Sequence, residues 1–250
     1  MEHQFVIAHL SDLHISITDQ KSDFLTNWNL MLCHLKQTLI DYVVVTGDIA
    51  AHSDPKEYEL ALKVFDRLLA ECYLERNQIL FCPGNHDAND SCVHSSFSHY
   101  NDFVQSFYGE DSSPQMYMDF PNDDLTFWSF NTNTTASSVF YNDASIPEQE
   151  ASCFLKHHKK ERRNILLFHH PLSNIPDDPK LKELCLSSEL ILCGHSHPNA
   201  PSLNMKHHAN IVTGLAITPG SPSIRRGFQM VYLSHERSSS NSVSVHPVYL

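Results

Sequence analysis

Acidic, amide and imidazole side chains of the kinds that bind metal ions recur in short motifs along this chain of 250 residues. The candidate ligands are Asp12, His14, Asp48, Asn85, His169, His195 and His197. Oxygen and imidazole donors without thiolate suit Mn, Fe, Zn, Co or Ni. One carboxylate shared by two ions allows the separation of about 3.5–4 Å found in two-metal sites, which bind phosphoryl oxygens and lower the pKa of a bridging water. These residue types therefore predict two divalent or trivalent metal ions and hydrolytic chemistry.

Each group of candidate ligands directly follows a short apolar run, as side chains do at the carboxyl end of a β-strand. In open α/β sheets, functional sites assemble along that edge. The chain has only seven glycines, yet Gly47, Gly84 and Gly194 each directly precede a candidate ligand. A glycine permits a tight turn in which the backbone closely approaches a metal. We therefore expect all the candidate ligands to meet in one site.

The elements that must position these residues begin with three apolar runs at residues 5–10, 42–46 and 79–82. Two amphipathic helical patterns separate the runs. Asp54 and Glu57 match the N-cap and the capping-box partner of the second helix. A β-α-β-α-β order predicts a parallel sheet with crossover helices.

The rest of the chain predicts a second set of elements. Helices are expected near 97–107 and 147–158, and strands near 116–120, 125–130, 165–168, 190–193, 211–215, 228–233 and 243–248. The last three strands are expected to be antiparallel. Two mixed sheets packed face to face, with helices outside, accommodate all of these elements.

Length and charge limit the classes of function. We find no linker or repeat, and the polar stretch 238–242 is short enough for a hairpin loop, so we predict a single domain over residues 1–250. The formal net charge of −12 argues against binding extended nucleic acid, which needs a basic stripe. A small phosphorylated substrate is compatible with this charge because bound metal ions supply local positive charge.

The seven cysteines are odd in number and form no Cys-x-x-Cys pair, which favours reduced cysteines in a cytoplasmic protein. We see no signal peptide and no apolar window near the roughly 18 residues of a membrane helix. The prediction is a soluble cytoplasmic protein without a membrane span. Nothing in the sequence indicates an oligomeric state.

Five blocks of the sequence, D-x-H, GD, GNH[DE], H and GHxH, occur in this order between Asp12 and His197. Together they resemble the calcineurin-like metallophosphoesterase superfamily. The resemblance implies a four-layer αββα sandwich. It also implies that Asp48 bridges two ions, and that His86 faces the substrate phosphate as a catalytic residue instead of binding metal. The first ion would be held by Asp12, His14, Asp48 and His197, and the second by Asp48, Asn85, His169 and His195.

Departures from other branches of the superfamily narrow the resemblance. Ser/Thr protein phosphatases carry GD-x-V-D-R-G, and this chain lacks their Asp and Arg. Purple acid phosphatases place a metal-binding Tyr where this chain has Ala51. The segment from Gly47 to Tyr58 resembles bacterial class III cyclic-nucleotide and glycerophosphodiester phosphodiesterases. This implies a phosphodiesterase acting on a small 3′,5′-cyclic nucleotide or a glycerophosphodiester.

Other functions of the same superfamily stay open. One is a different ester specificity: a phosphomonoesterase, a nucleotide pyrophosphatase or a nuclease, the last disfavoured by the acidic charge. Another is a catalytically silent scaffold, as in a retromer subunit, which the presence of His14 and His86 disfavours.

Three further residues lie close to the motifs. His52 and His170 could touch the substrate. Asp87 could either orient a neighbouring histidine or cap the next helix. By contrast, His9 lies within the first predicted strand and is expected to be a hydrogen-bonded core residue.

Overall fold

The computed structural model describes residues 4–17, 21–89, 96–109, 116–133, 144–218, 221, 223–234 and 242–250. The strands in these ranges are β1 (Gln4–Leu10), β2 (Tyr42–Thr46), β3 (Ile79–Cys82), β4 (Tyr117–Phe120), β5 (Leu125–Ser129), β6 (Arg163–Leu167), β7 (Leu190–Cys193), β8 (Ser202–Lys206), β9 (Ala209–Thr213), β10 (Gly227–Ser234) and β11 (Val243–Tyr249). The helices are α1 (Lys21–Leu35), α2 (Pro55–Cys72), α3 (Ser98–Tyr108), α4 (Glu148–His157) and α5 (Pro179–Leu186).

The strands form two mixed sheets. One sheet has the order β11-β10-β1-β2-β3, in which β1, β2 and β3 are parallel and β10 is antiparallel to both its neighbours. The other has the order β4-β5-β6-β7-β9-β8, in which β5, β6, β7 and β9 are parallel. Parallel strands end at the same edge of a sheet. The loops that follow β1, β2, β3, β6 and β7 carry the candidate ligands.

Apolar side chains on alternate residues of the first sheet pack in opposite directions. Ile7 and Val44 contact the second sheet in a buried layer that includes Leu192. Val45, next to Val44, packs on the other face with Phe65 of α2. Strand β2 is buried along its whole length because both of its faces are covered.

Helices α4 and α5 cover the outer face of the second sheet, where Phe154 and Leu184 pack against Leu166 of β6. Helices α1, α2 and α3 cover the outer face of the first. The order of layers is therefore helices, sheet, sheet, helices, which confirms the predicted αββα sandwich. None of the described helices combines the length and the apolar character that a membrane span requires.

The predicted start of α2 is confirmed: Asp54 accepts a hydrogen bond from Lys56 N–H (2.8 Å), and Glu57 closes the capping box. The predicted strands and helices are all observed, with ends within two residues of those expected except at α1. The helical spacing in the sequence extended to Leu39, but α1 ends at Leu35 and Leu39 is exposed. The predicted loop at 238–242 lies, apart from Ser242, outside the described residues.

The expected arrangement of the last strands is partly wrong. β10 and β11 are antiparallel as predicted, but β9 runs parallel to β7. The sequence did not predict β8, which precedes β9 and pairs with it in an antiparallel hairpin. Because β8 reverses the chain once, β9 runs in the direction of β7. β8 is an edge strand with exposed Leu203 and Met205, so it lacks the alternating burial that marks a strand. The sequence also gave no prediction for the eight-residue helix α5.

Candidate metal centre

The turns that carry the candidate ligands are strained. Asp12, His14, Asp48, His195 and His197 all have positive φ values, between 42° and 68°. Left-handed backbone is unfavourable for residues with a Cβ, and it persists where the surrounding structure holds it. Half of the ten described non-glycine residues with positive φ are thus candidate ligands. The strain is concentrated at this edge of the sheets.

All three predicted glycines are required because other groups approach them closely. Gly47 has a φ of +80°, and a Cβ there would overlap the His169 ring. A Cβ on Gly84 would overlap the Asp48 carboxylate, and a Cβ on Gly194 would overlap the Ser11 hydroxyl. These last two glycines allow the turns after β3 and β7 to pack directly against the carboxylates that follow β1 and β2.

Three candidate ligands form a compact group, which we call the buried half: Asn85, His169 and His195. His169 Nε2 and His195 Nδ1 each lie 3.0 Å from Asn85 Oδ1 and 3.2 Å from one another. Asp48 Oδ2 lies 3.4 Å from His169 Nε2. Tetrahedral ligation at about 2.0–2.1 Å requires donor atoms about 3.3 Å apart. These four side chains therefore fit one ion.

A second group, which we call the open half, contains Asp12, His14 and His197. Their potential donor atoms lie within 4.8 Å of one another, and His197 Nε2 is 3.1 Å from Asp12 Oδ1. His14 Nε2 is 3.7 Å from the same Asp48 Oδ2 that approaches His169. The Asp48 carboxylate therefore lies between the two halves and could serve an ion in each.

The charge of the centre also fits bound cations. Asp12 and Asp48 are buried, and no described lysine or arginine forms an ion pair with either. Burial would raise the pKa of Asp12, but the hydrogen bond from His197 and the charge of His169 lower it to about 2. Burial opposes ionisation of Asp48 too, yet His169 holds its pKa well below the usual range. Two buried carboxylates that stay ionised need nearby positive charge, which metal ions supply.

Hydrogen bonds orient the ligand side chains. His169 Nδ1–H donates to the Thr46 carbonyl oxygen (2.8 Å), which directs Nε2 into the centre. The backbone N–H of His195 donates to Asp12 Oδ2 (3.1 Å), and the Ser11 hydroxyl donates to the same oxygen. Ser11 and Thr46 were not singled out from the sequence, although each adjoins a motif.

His86 lies beside the open half, next to His14. Its backbone N–H donates to Asp48 Oδ1 (2.8 Å), and its Nδ1–H donates to the Ala51 carbonyl oxygen (2.9 Å). The ring meets the His14 ring edge-on with centroids 4.7 Å apart. A ring nitrogen of His86 is within 4.8 Å of donor atoms on His14 and Asp48, so the imidazole borders the open half.

Asp87 is completely buried and joins the two central turns. Its carboxylate accepts hydrogen bonds from the backbone N–H groups of Ile49 (3.2 Å), Ala50 (3.0 Å) and Gly84 (2.9 Å), and from the Tyr58 hydroxyl (2.9 Å). Among the described residues, no hydrogen bond joins the Asp87 carboxylate to a histidine ring or to the start of α3. The two roles considered from the sequence stay predictions, and these contacts add a third role, which is to hold the backbone of both turns.

His170 and His52 occupy different environments. His170 is buried; its ring centroid is 4.6 Å from that of His195, and its Nδ1 is 2.9 Å from the Thr132 hydroxyl. The His52 side chain is 68% exposed, and its Nδ1 lies 3.1 Å from Glu57 Oε1. As predicted, His9 is a buried core residue, and its Nε2 lies 2.9 Å from the Thr46 hydroxyl.

The αββα sandwich and the paired Asp/His clusters define a metallophosphoesterase. The sequence matches the calcineurin-like phosphoesterase family over residues 5–199, and the chain belongs to that family. The protein is therefore a metal-dependent phosphoric ester hydrolase. The family uses a dinuclear metal centre, and the two halves described above provide His and Asp side chains for one.

Solved structures with the same fold include a dimetal phosphatase from Danio rerio, which is 13% identical in sequence to this chain. The two structures superpose with a TM-score of 0.58 over 97% of this chain and 95% of the phosphatase chain. An archaeal phosphodiesterase is 12% identical in sequence and superposes with a TM-score of 0.51 over 98% of this chain and 100% of the phosphodiesterase chain. At such identities the likeness concerns the fold alone. Comparison with curated protein sequences gives no match.

Proposed function

We propose that the protein hydrolyses a small phosphodiester, of the 3′,5′-cyclic nucleotide or glycerophosphodiester type. The observation that carries this proposal concerns the segment from Gly47 to Tyr58, whose sequence resembles class III phosphodiesterases. Residues of this segment hold the turn that carries Asp48. Tyr58 binds Asp87, which in turn holds the backbone after Asp48. The resemblance therefore involves residues that build the metal centre.

The proposed ligands of the first ion are Asp12, His14, Asp48 and His197. Those of the second are Asp48, Asn85, His169 and His195, with Asp48 shared. When bound, ions of Mn, Fe, Zn, Co or Ni supply positive charge to phosphoryl oxygens and lower the pKa of water. The residue types present allow all five metals.

His86 is the proposed catalytic residue of the chain itself. The bond from Nδ1–H to the Ala51 carbonyl oxygen fixes the ring beside His14. We propose that Nε2 holds a proton and gives it to the departing alkoxide oxygen of the substrate. General acid catalysis of this kind contributes about 10²–10⁴-fold.

The remaining candidate residues take supporting roles in this proposal. Asp87 positions the turns that carry Asp48 and Asn85, because its carboxylate binds backbone N–H groups in both. His170 shapes the wall beside His195, and the exposed His52 lies next to the Ala51 carbonyl that binds His86. The presence of both halves of the centre favours catalysis over a scaffold role. A single domain in the cytoplasm remains our proposal from the sequence.

A substrate comparison on metal-reconstituted protein tests the diester preference. Bis-p-nitrophenyl phosphate is expected to have a higher kcat/KM than p-nitrophenyl phosphate at matched metal and pH, with Asp48→Ala as the inactive control. Cyclic nucleotides, glycerophosphodiesters and dinucleotide polyphosphates then identify the substrate class. A higher kcat/KM for the monoester would move the assignment to a phosphomonoesterase.

A further inference from the structure

A cavity of about 410 Å³ lies between two pairs of elements. Strand β3 and helix α3 line one side, and strands β4 and β5 line the other. Its size falls within the range of small-molecule pockets, about 300–1,000 Å³. Pro83 and Leu167 line it, and each stands two residues before a proposed metal ligand. The cavity therefore begins beside the metal centre but contains none of its proposed ligands.

Aromatic rings form much of the wall: Phe81, Phe97, Tyr100, Tyr108, Tyr117 and Phe127. Several are held in place. Tyr117 stacks on Trp128 with centroids 4.5 Å apart, and Tyr108 donates a hydrogen bond to the Ile79 carbonyl oxygen. Rings fixed in this way line a binding site without the entropy cost of ordering mobile side chains.

Glu150, in the first turn of α4, is the one charged side chain among the described residues that line the cavity. Its carboxylate accepts a hydrogen bond from the Asn131 backbone N–H (2.9 Å), and the described residues provide no other hydrogen-bond donor to it. Burial raises the pKa of Glu150 to about 7, although the Asn131 hydrogen bond opposes the rise. The protein thus supplies too little positive charge or hydrogen bonding to compensate this carboxylate fully.

A carboxylate in a cavity lined largely by aromatic residues suits one class of ligand. The negative faces of aromatic rings attract organic cations, and quaternary ammonium groups are recognised by cages of this kind. No lysine, arginine or histidine lines the described part of the cavity to repel a cation. We propose that the cavity is a binding site for a small organic cation of the alkylammonium class, with Glu150 as its counter-ion.

Direct binding of choline to the metal-loaded protein tests the proposal, because choline carries no phosphoryl group and its binding does not depend on phosphoesterase activity. The neutral isostere 3,3-dimethylbutan-1-ol is the matched probe, and sodium chloride maintains ionic strength. Calorimetry or saturation-transfer NMR is expected to show choline binding at least about tenfold tighter than the isostere. Equal binding of the two probes, or no saturable binding of choline, would overturn the proposal.

Two variants locate the site. Glu150→Gln keeps the shape of the side chain, removes its charge and is expected to weaken choline binding at least about tenfold. Glu148→Gln makes the same change two residues away on an exposed part of α4, where Glu148 pairs with Lys180, and is expected to leave the affinity within about twofold. Equal losses in both variants would indicate attraction by net charge and refute the site. If Glu150→Gln fails to fold, the comparison of choline with its isostere on the unaltered protein still decides.

Discussion

The two halves of the metal centre differ in the spacing of their potential donor atoms. In the buried half, donor atoms of Asn85, His169 and His195 lie within 3.2 Å of one another. The His169 side chain is 0% exposed, and Asn85 and His195 are partly buried. In the open half, the potential donor atoms of Asp12, His14 and His197 lie within 4.8 Å of one another. The Asp12 side chain is 0% exposed, and those of His14 and His197 are 12% and 20% exposed. Donor atoms that are already close need less rearrangement to bind an ion. We infer that the buried half binds its metal more tightly, whereas the open half faces the substrate.

Asp48 joins the halves, so its loss is expected to have the largest effect. Asp48→Ala should remove at least one ion per chain and nearly all activity. This loss exceeds the decrease of about 10–100-fold in metal affinity or activity that follows when a residue hydrogen-bonded to a metal ligand is replaced. Elemental analysis and kcat/KM measure the two consequences. Full metal occupancy in this variant would refute the shared carboxylate.

His86 borders the open half, and its replacement is expected to affect catalysis without removing a metal. His86→Ala should keep two ions and lose about 10²–10⁴-fold in kcat on alkyl or nucleotide esters. The loss should be smaller on p-nitrophenyl esters, because p-nitrophenolate leaves without a proton. Equal losses on both substrate types would point to electrostatic stabilisation of the phosphoryl group in place of proton donation. Loss of an ion would make His86 a ligand.

Asp87 holds the turns that carry Asp48 and Asn85 but is not a proposed ligand. Its replacement is therefore expected to have a smaller effect, which appears as weaker metal binding. Asp87→Asn places an amide where the carboxylate now accepts three backbone N–H groups, and should weaken metal affinity about 10–100-fold. Excess metal should then restore most of kcat. Tyr58→Phe removes only one hydrogen bond to the same carboxylate and should cost less. A kcat that stays low at saturating metal would contradict a positioning role.

The candidate ligands could be selected from the sequence because metal binding restricts a position to a few side-chain types, and the order of the motifs followed the order of the strands. The contacts of Asp87 could not be predicted in the same way. Three of its four partners are backbone N–H groups, which leave no signature in residue type. Thr132, which contacts His170, could not be predicted either. It belongs to no motif, because only the fold brings it next to His170.

The fold shows a similar division. Strands such as β2, buried on both faces, were evident as continuous apolar runs. The direction of β9 depended on the exposed edge strand β8, whose sequence resembles a surface loop as much as a strand. Pairing direction at a sheet edge is set by such neighbours, and it was there that the predicted arrangement was wrong.

Calorimetric titration of Mn²⁺ into chelator-treated protein tests most directly whether the centre is dinuclear, with one tight and one weaker site. The unaltered chain is expected to bind two ions in two steps of different affinity. His195→Ala, in the buried half, should lose the tighter step, and His14→Ala, in the open half, should keep it and lose the weaker one. A single ion per unaltered chain, or loss of the tight step in His14→Ala alone, would contradict the account.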